Sequence, residues 1–273
     1  MEDNKEVLDF YERRSEKGRL EKGLGIIEFH RTQQILSKYL TTAHQVIYDI
    51  GGGTGTYSKW LAELKHQVHL FDLAPSAIAH ALENQNSDAP YIAETGDARK
   101  INRPDNSADI VLLMGPLYHL QKIEDRLKVL SECYRVLKKG GLLFAVGISK
   151  FSTTTYAIST FGAKNEFLND EVFREMIKEE LVTGNHNRPE KYPNFLGKAY
   201  FHTPAQLRDE IKLSHFDLIK AYAIEGLIWF TPELNQNWED ETIRRQLLEI
   251  VELTESEESV LGMSPHFMVV GQK

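Results

Sequence analysis

The chain reads as an α/β protein with a parallel sheet covered by helices on both sides, and three observations point there. Short apolar runs alternate with helical periodicities from about residue 46 to 149. The runs are apolar on successive positions, as strands buried on both faces must be. A glycine-rich turn, "DIGGGTG", separates the first run from a helical stretch. Repeated strand–helix units of this kind imply a parallel sheet with right-handed crossovers.

Taken in order, two helices are expected first, over residues 4–17 and 30–41, joined by "GRLEKGLG". The strand candidates follow at Val46–Ile50, Gln67–Phe71, Tyr91–Ala93, Ile110–Met114 and Leu142–Ile148. The clearest helix spans 123–138, with Ile123, Leu127, Leu130, Tyr134 and Leu137 on one face. "KKGG" is expected to stop it, with basic residues in the last turn and glycines beyond. Residues 150–202 then break the alternation. They are rich in aromatics, hold a helix candidate at 169–182, and read as a cap inserted in the α/β domain. Thr203 and Pro204 restart a helix as N-cap and first residue. Strand-like "FDLIKAYAIEG", a helix over 239–254 and "HFMVVGQK" complete the chain. The expected organisation is an N-terminal helical extension at 1–43, a core at 44–149, the cap at 150–202 and a C-terminal part of the core at 203–273.

Composition narrows the class. The net charge is -8, and no basic block could track a phosphate backbone, so nucleic-acid binding is not expected. Cys133 is the single cysteine, which excludes an internal disulfide or a cysteine-built zinc site. The first residues are charged, and "GLLFAVGI" is too short to span a bilayer. A cytoplasmic enzyme or binding protein is expected, as monomer or homodimer, away from membranes. The histidines show no HxH or HExxH spacing, and no metal site is expected.

The glycine turn bears on function. Gly51, Gly53 and Gly55 form G-x-G-x-G, and the dinucleotide pattern would want glycine where Thr56 stands. Asp49 precedes the turn inside the strand end, where its charge would oppose a pyrophosphate and suit an amine. Asp72 ends the next strand, at the distance expected of an acid that accepts from both ribose hydroxyls. By itself Asp72 fits NAD equally well. Asp97, in "ETGDARKI" after the third strand, can accept from an adenine amine. Amine, ribose and adenine without phosphate describe S-adenosylmethionine (SAM).

At this point the chain resembles the class I SAM-dependent methyltransferases. "VIYDIGGGTG", "VHLFDLAPSAI", "GDARKI", "SADIVLLMGPLYHL" and "YRVLKKGGLLFAVG" follow the family's order and spacing over residues 44–149. The resemblance implies a doubly wound sheet of seven strands, mostly parallel, with the last strand, "HFMVVGQK", antiparallel. It implies that Asp49, Gly51 and Gly53 hold the methionine end of SAM, Asp72 the ribose, and Asp97 with Ala98 the adenine. Leu73, Met114 and Tyr118 complete that set. Tyr11 and Arg19 belong to an N-terminal segment that closes over the cofactor, with the arginine able to pair with a carboxylate. S-adenosylhomocysteine would be the product.

The residues after the fourth strand, "MGPLYHL", would face donor and acceptor. They lack the Asn-Pro-Pro-aromatic motif of enzymes that methylate adenine or glutamine amines. Arsenite methylation uses several cysteines and this chain has one, while cytosine-C5 methylation needs a catalytic cysteine and Cys133 stands on an expected helix away from any such motif. A small molecule with an oxygen, nitrogen or carbon nucleophile is the expected acceptor. Methyl transfer from a sulfonium needs mainly alignment and exclusion of water. His119 is the candidate base. The cap would be the acceptor's lid, with His186 and His202 as its polar candidates and with Glu225 and Trp229 facing the same cavity. Two rival readings stand beside this one, a SAM-binding protein without turnover and an NAD(P)-dependent oxidoreductase.

Overall fold

The computed structural model describes residues 18–21, 23–161, 167–193 and 195–273. The expected helix over 4–17, and Tyr11 with it, lies outside them. A turn of 3-10 helix at Arg19–Glu21 leads into α1, Leu24–Ser37. This helix starts earlier than the expected residue 30. Gly25 permits the early start, because a Cβ there would lie 2.1 Å from the Arg19 carbonyl oxygen.

The alternation then follows the expected order. β1 is Val46–Ile50, α2 Thr56–Glu63, β2 Gln67–Asp72, α3 Pro75–Asn84, β3 Ile92–Thr95 and β4 Ala108–Leu113. A single turn, α4, at Pro116–His119 precedes α5, Ile123–Val136, and β5, Leu137–Ile148. Here one expectation fails. Helix α5 ends at Val136, and Leu137 is already extended and paired with Ala108 of β4. "KKGG" therefore lies within the strand, where Lys138 pairs with Asp109 at 2.8 Å and the Gly140 amide donates to the Lys273 carbonyl at 2.7 Å. Sheet pairing of a buried leucine outweighs the local stop signal.

After β5 come α6, Ser152–Phe161, and α7, Glu171–Thr183, whose N-cap Asp170 accepts from the Val172 and Phe173 amides. A short hairpin, β6 Asn185–Asn187 with β7 Lys198–Tyr200, follows and was not expected. α8 is Pro204–Leu213, opened by a capping box between Thr203 and Gln206. β8 spans Asp217–Ala223, α9 Leu234–Glu239, α10 Glu241–Thr254, α11 Glu258–Leu261 and β9 His266–Gln272. The expected helix over 239–254 is α10, capped by Asp240, and the short α9 before it was not expected.

Among the described residues, seven strands form one sheet in the order β3-β2-β1-β4-β5-β9-β8. β9 alone runs against its neighbours, as expected of the last strand. Alternate residues of the central strands feed two cores. Ile47, Leu70, Leu112, Phe144 and Val270 pack under α1, α2 and α3. Tyr48, Val111, Leu143 and Val269 pack under α5 and α8. No helix among the described residues is long and apolar enough to cross a membrane.

The segment between β5 and α8 has a small core of its own. Phe167, Phe173, Tyr192 and Phe195 pack ring on ring, with centroids 4.6–6.1 Å apart. Two polar devices, one half-buried and one buried, fasten it to the sheet domain. The Gln121 amide nitrogen contacts the His186 carbonyl, Asn187 Oδ1 and the Ala199 carbonyl at 3.1–3.2 Å. Arg126, 2% exposed, forks onto Glu210, donates to the Leu120 and Gln121 carbonyls, and lies 3.7 Å over the Tyr200 ring.

Glu210→Gln would leave the Arg126 guanidinium buried without its counter-charge. Breaking one side of such a pair costs roughly 3–5 kcal/mol, whereas replacing both sides with apolar groups is often near neutral. Urea unfolding of Glu210→Gln is expected to show a loss of that order, and the double variant Arg126→Met, Glu210→Leu to recover most of it.

Candidate functional site

A pocket opens along the carboxyl ends of β1, β2 and β4 and the loop after β3. This is the crevice where a doubly wound sheet reverses its strand order, with β2 on one side of β1 and β4 on the other. Its wall includes Gly51, Asp72, Leu73, Asp97, Ala98, Pro116, His119, Gln121, Lys122 and Lys198. Of the residues singled out in the sequence, Gly51, Asp72, Leu73, Asp97, Ala98 and His119 thus meet in one cavity. Asp49, Gly53, Met114, Tyr118 and Arg19 are not among the lining residues.

The glycine turn is built by close approach. Gly51 has φ +75, and a Cβ on it would meet Pro116 Cδ at 2.5 Å. Its amide and that of Gly52 donate to the Phe71 carbonyl at 2.7 and 3.3 Å, which fastens the turn over β2. The turn continues in left-handed conformation at Gly53, whose amide donates to Asp72 Oδ2 at 2.9 Å. Asp72 Oδ1 accepts from the Ala74 amide, also at 2.9 Å. Asp72 thus ties the turn to the start of α3 while it lines the pocket.

Asp49 lies beneath the turn. It is 1% exposed, and its carboxylate fills the space that a Cβ on Gly52 would need, at 2.6–2.9 Å. Ser58 Oγ, in the first turn of α2, donates to Asp49 Oδ2 at 2.7 Å. Burial pushes the Asp49 carboxyl up to about 6, against the Ser58 hydrogen bond and with help from the nearby Asp72 charge. Ser58 was not singled out in the sequence. Its signal is position alone, since the first turn of the helix after a glycine loop faces back toward the preceding strand.

Asp97 forks onto the Arg99 side chain, which also approaches Asp125 at 3.6 Å. His119 ends α4 with its ring 4.9 Å from that of Tyr118, whose hydroxyl donates to the Met114 carbonyl at 2.8 Å. Withdrawal from water pushes the His119 imidazole down to about 4, so it is neutral at neutral pH. Arg19 is bound in a two-pronged bond to Glu28 of α1 at 2.5 and 2.9 Å.

Gln121 and Lys198, which belong to the pocket, were invisible in the sequence. They meet only because the β6–β7 hairpin folds back on the segment after β4. The other candidates are engaged elsewhere. His186 is buried and held by Glu180 at 2.6 Å and the Leu196 carbonyl at 2.8 Å, and His202 is buried 3.4 Å from Glu210. Trp229 donates to the Met263 carbonyl at 2.9 Å. Glu225 is fully buried against His266 at 2.6 Å. The tightest gathering of acids with an imidazole among the described residues is Glu28, Glu225 and His266. It is internally paired, with the Arg19 guanidinium supplying the added positive charge.

Residues 48–145 match a family described as a methyltransferase domain. A glycine/sarcosine N-methyltransferase of Parasynechococcus marenigrum is 36% identical over 100 residues, 36% of this chain and 36% of that protein. A ubiquinone biosynthesis O-methyltransferase of Pseudomonas entomophila is 26% identical over 216 residues, 77% of this chain and 83% of that protein. The match therefore spans about a third of the length of the first relative and most of the second. In fold, the chain resembles a SAM-dependent methyltransferase from Methanosarcina mazei, with a TM-score of 0.58 and 19% identity over 88% of this chain and 96% of the other.

Asp49 gives the fold a pH dependence of known sign. Its folded pKa, about 6, exceeds the ordinary 3.8. The stability it contributes is complete below that ordinary value and is lost as pH rises through about 6. The shift amounts to about 3 kcal/mol in all, of which roughly 1.4 kcal/mol is lost above pH 5. Asp49→Asn, neutral at every pH, is expected to remove this limb, as read from urea midpoints of both proteins at about pH 5 and about pH 7.5.

Proposed function

We propose that this chain, whose residues 48–145 match a methyltransferase-domain family, is a class I SAM-dependent methyltransferase that moves a methyl group to an oxygen, nitrogen or carbon nucleophile of a small molecule. The observation that carries this is the joining of the glycine turn to Asp72. The turn that presses against Pro116 and the carboxylate at the end of the next strand are one hydrogen-bonded unit at the pocket wall.

The residues fit the donor. Gly51 leaves room that a side chain would fill. Asp72 and Asp97 offer carboxylate oxygens at the ends of adjacent strands, where ribose hydroxyls and an adenine amine can donate. Leu73 and Ala98 supply apolar wall beside them. Asp49, under the turn, places negative charge or a hydrogen-bonding carboxyl below the methionine end. The donor supplies a methyl on positively charged sulfur. The chain's own work is to hold, align and exclude water.

His119 lines the pocket as a neutral imidazole. With its pKa pushed to about 4 it is a weak proton acceptor near neutrality, so its role is to orient the acceptor by hydrogen bonding. The segment at 150–202 acts as the acceptor's lid, and Lys198 brings it to the pocket wall. The names of the two relatives support small molecules as acceptors, since one is named for glycine and sarcosine and the other for ubiquinone biosynthesis.

Calorimetric titration tests the reading. SAM and S-adenosylhomocysteine are expected to bind in the micromolar range, and NAD and NADP not at all. Binding of a dinucleotide alone would overturn it. Asp72→Ala is expected to weaken both adenosyl ligands ten- to a hundredfold while the protein stays folded by circular dichroism, since a hydrogen bond to a charged group is worth roughly 1.5–3 kcal/mol.

A further inference from the structure

The same edge of the sheet carries a second group of residues outside the pocket wall. β9 begins with His266, in register with Ile148 at the end of β5. His266 Nδ1 lies 2.6 Å from Glu225 Oε1. Glu225 is held from every side. Its other oxygen accepts from Ser264 Oγ at 2.9 Å and from the His266 amide at 3.0 Å. Ser264 Oγ in turn accepts from the Glu225 and Gly226 amides at 3.1 and 3.0 Å. Glu28 of α1 stands 4.0 Å from the same ring nitrogen, forked by Arg19. The other nitrogen, Nε2, has no hydrogen bond among the described residues, and the side chain keeps 18% of its surface exposed.

A histidine fixed through Nδ1 by a buried carboxylate, with Nε2 open, is arranged to exchange a proton at Nε2. Its position suits that work. Adjacent strands lie about 4.8 Å apart, so His266 stands two spacings across from β4, and its register with Ile148 sets it three residues beyond Leu113, roughly 14 Å from the end of β4 in all. That end leads into Gly115, Pro116 and His119 of the pocket wall. Tyr57, in the first turn of the helix after the glycine loop, stacks near Phe29 at 5.2 Å and feels the charges of both Glu28 and Glu225. The cluster thus lies at the end of β5 and on the side of α1 that faces the helix after the glycine loop.

Resting on the methyltransferase reading, we propose that Glu225 and His266 form the acceptor side of the site, with His266 Nε2 taking the proton of the acceptor's nucleophile. The nucleophile's bond to hydrogen breaks and the proton goes to Nε2. The nucleophile bonds to the methyl carbon, and the carbon–sulfur bond breaks with its electron pair left on a neutral sulfur. No oxidant or reductant enters. The imidazolium formed is balanced by Glu225 and Glu28.

In the free protein the charged groups that face His266 are Glu225, Glu28 and Arg19. Burial and Arg19 pull its pKa down, but the two carboxylates outweigh them and hold it above the ordinary value. The sulfonium of the donor adds a positive charge that the demethylated product lacks. That charge opposes the imidazolium and frees Nε2 to accept a proton once the donor is in place.

Nitrogen-detected NMR of histidine-labelled protein tests this without an acceptor. The His266 pKa is measured in the full chain saturated with SAM and, separately, with S-adenosylhomocysteine. The resonance is assigned by loss in His266→Gln, or through the backbone of the unaltered protein should that variant not fold. The SAM complex is expected to bind the His266 proton at least about threefold more weakly than the product complex. Equal proton affinities in the two complexes would overturn the dyad and leave the donor reading intact. Calorimetry in the same buffers separates the cases, because failure of both ligands to bind would overturn the donor reading and the dyad with it.

Discussion

The pocket depends on the point where the chain leaves β1. β1 lies between β2 and β4, parallel to both, so the chain winds outward from β1 through β2 to β3 and then returns to β4 on the other side, which leaves a crevice at the strand ends. The turn into α2 must cross that crevice without filling it. It can do so only with left-handed backbone at Gly51 and Gly53 and with Pro116 pressed against it from the β4 side. The Phe71 carbonyl, Asp72 and Asp49 then hold the turn from three directions. Asp72 serves both structure and site. The carboxylate that accepts from the Gly53 and Ala74 amides is also the one that lines the cavity.

Buried charge organises the remainder. Arg126 with Glu210 joins α5 to α8 and, through the Leu120 and Gln121 carbonyls, steadies the pocket wall. Arg31 of α1 is likewise buried, reaching Glu255 at 2.6 Å and the Ile224 carbonyl at 3.2 Å. Such pairs add little net stability over apolar packing but tolerate few alternatives. Here they set where the N-terminal helix, the inserted segment and the C-terminal helices meet the sheet. The two histidines on the sheet's working edge differ for the same reason. His119 has lost water and has pKa about 4, whereas His266 has lost water but gained two carboxylates and lies above the ordinary value.

Much of the core was legible in the sequence because it rests on local rules. Largely apolar runs of five to seven residues have few homes other than a strand covered on both faces. The glycine turn and the acids that end β1 and β2 sit at fixed offsets along the chain, so their neighbourhood is set before any long-range contact forms. The capping box at Thr203 and the caps at Asp170 and Asp240 are local for the same reason, and the last long helix begins beside Asp240, close to where its periodicity begins.

What tertiary structure decided lies in long-range pairing. "KKGG" has the chemistry of a helix stop, but Leu137 finds a β4 partner and the strand begins before the glycines. Arg19 forks onto Glu28, nine residues on in α1, a pairing that no local pattern announces. Gln121 and Lys198 share a wall, and Glu225 and His266 share a hydrogen bond, only after hairpin and sheet have closed. The sequence by itself determined the sheet, its glycine turn and the acids beside it, because offsets of a few residues survive any folding. The partner of each charged side chain was left to the fold, because that choice depends on distances between segments far apart along the chain.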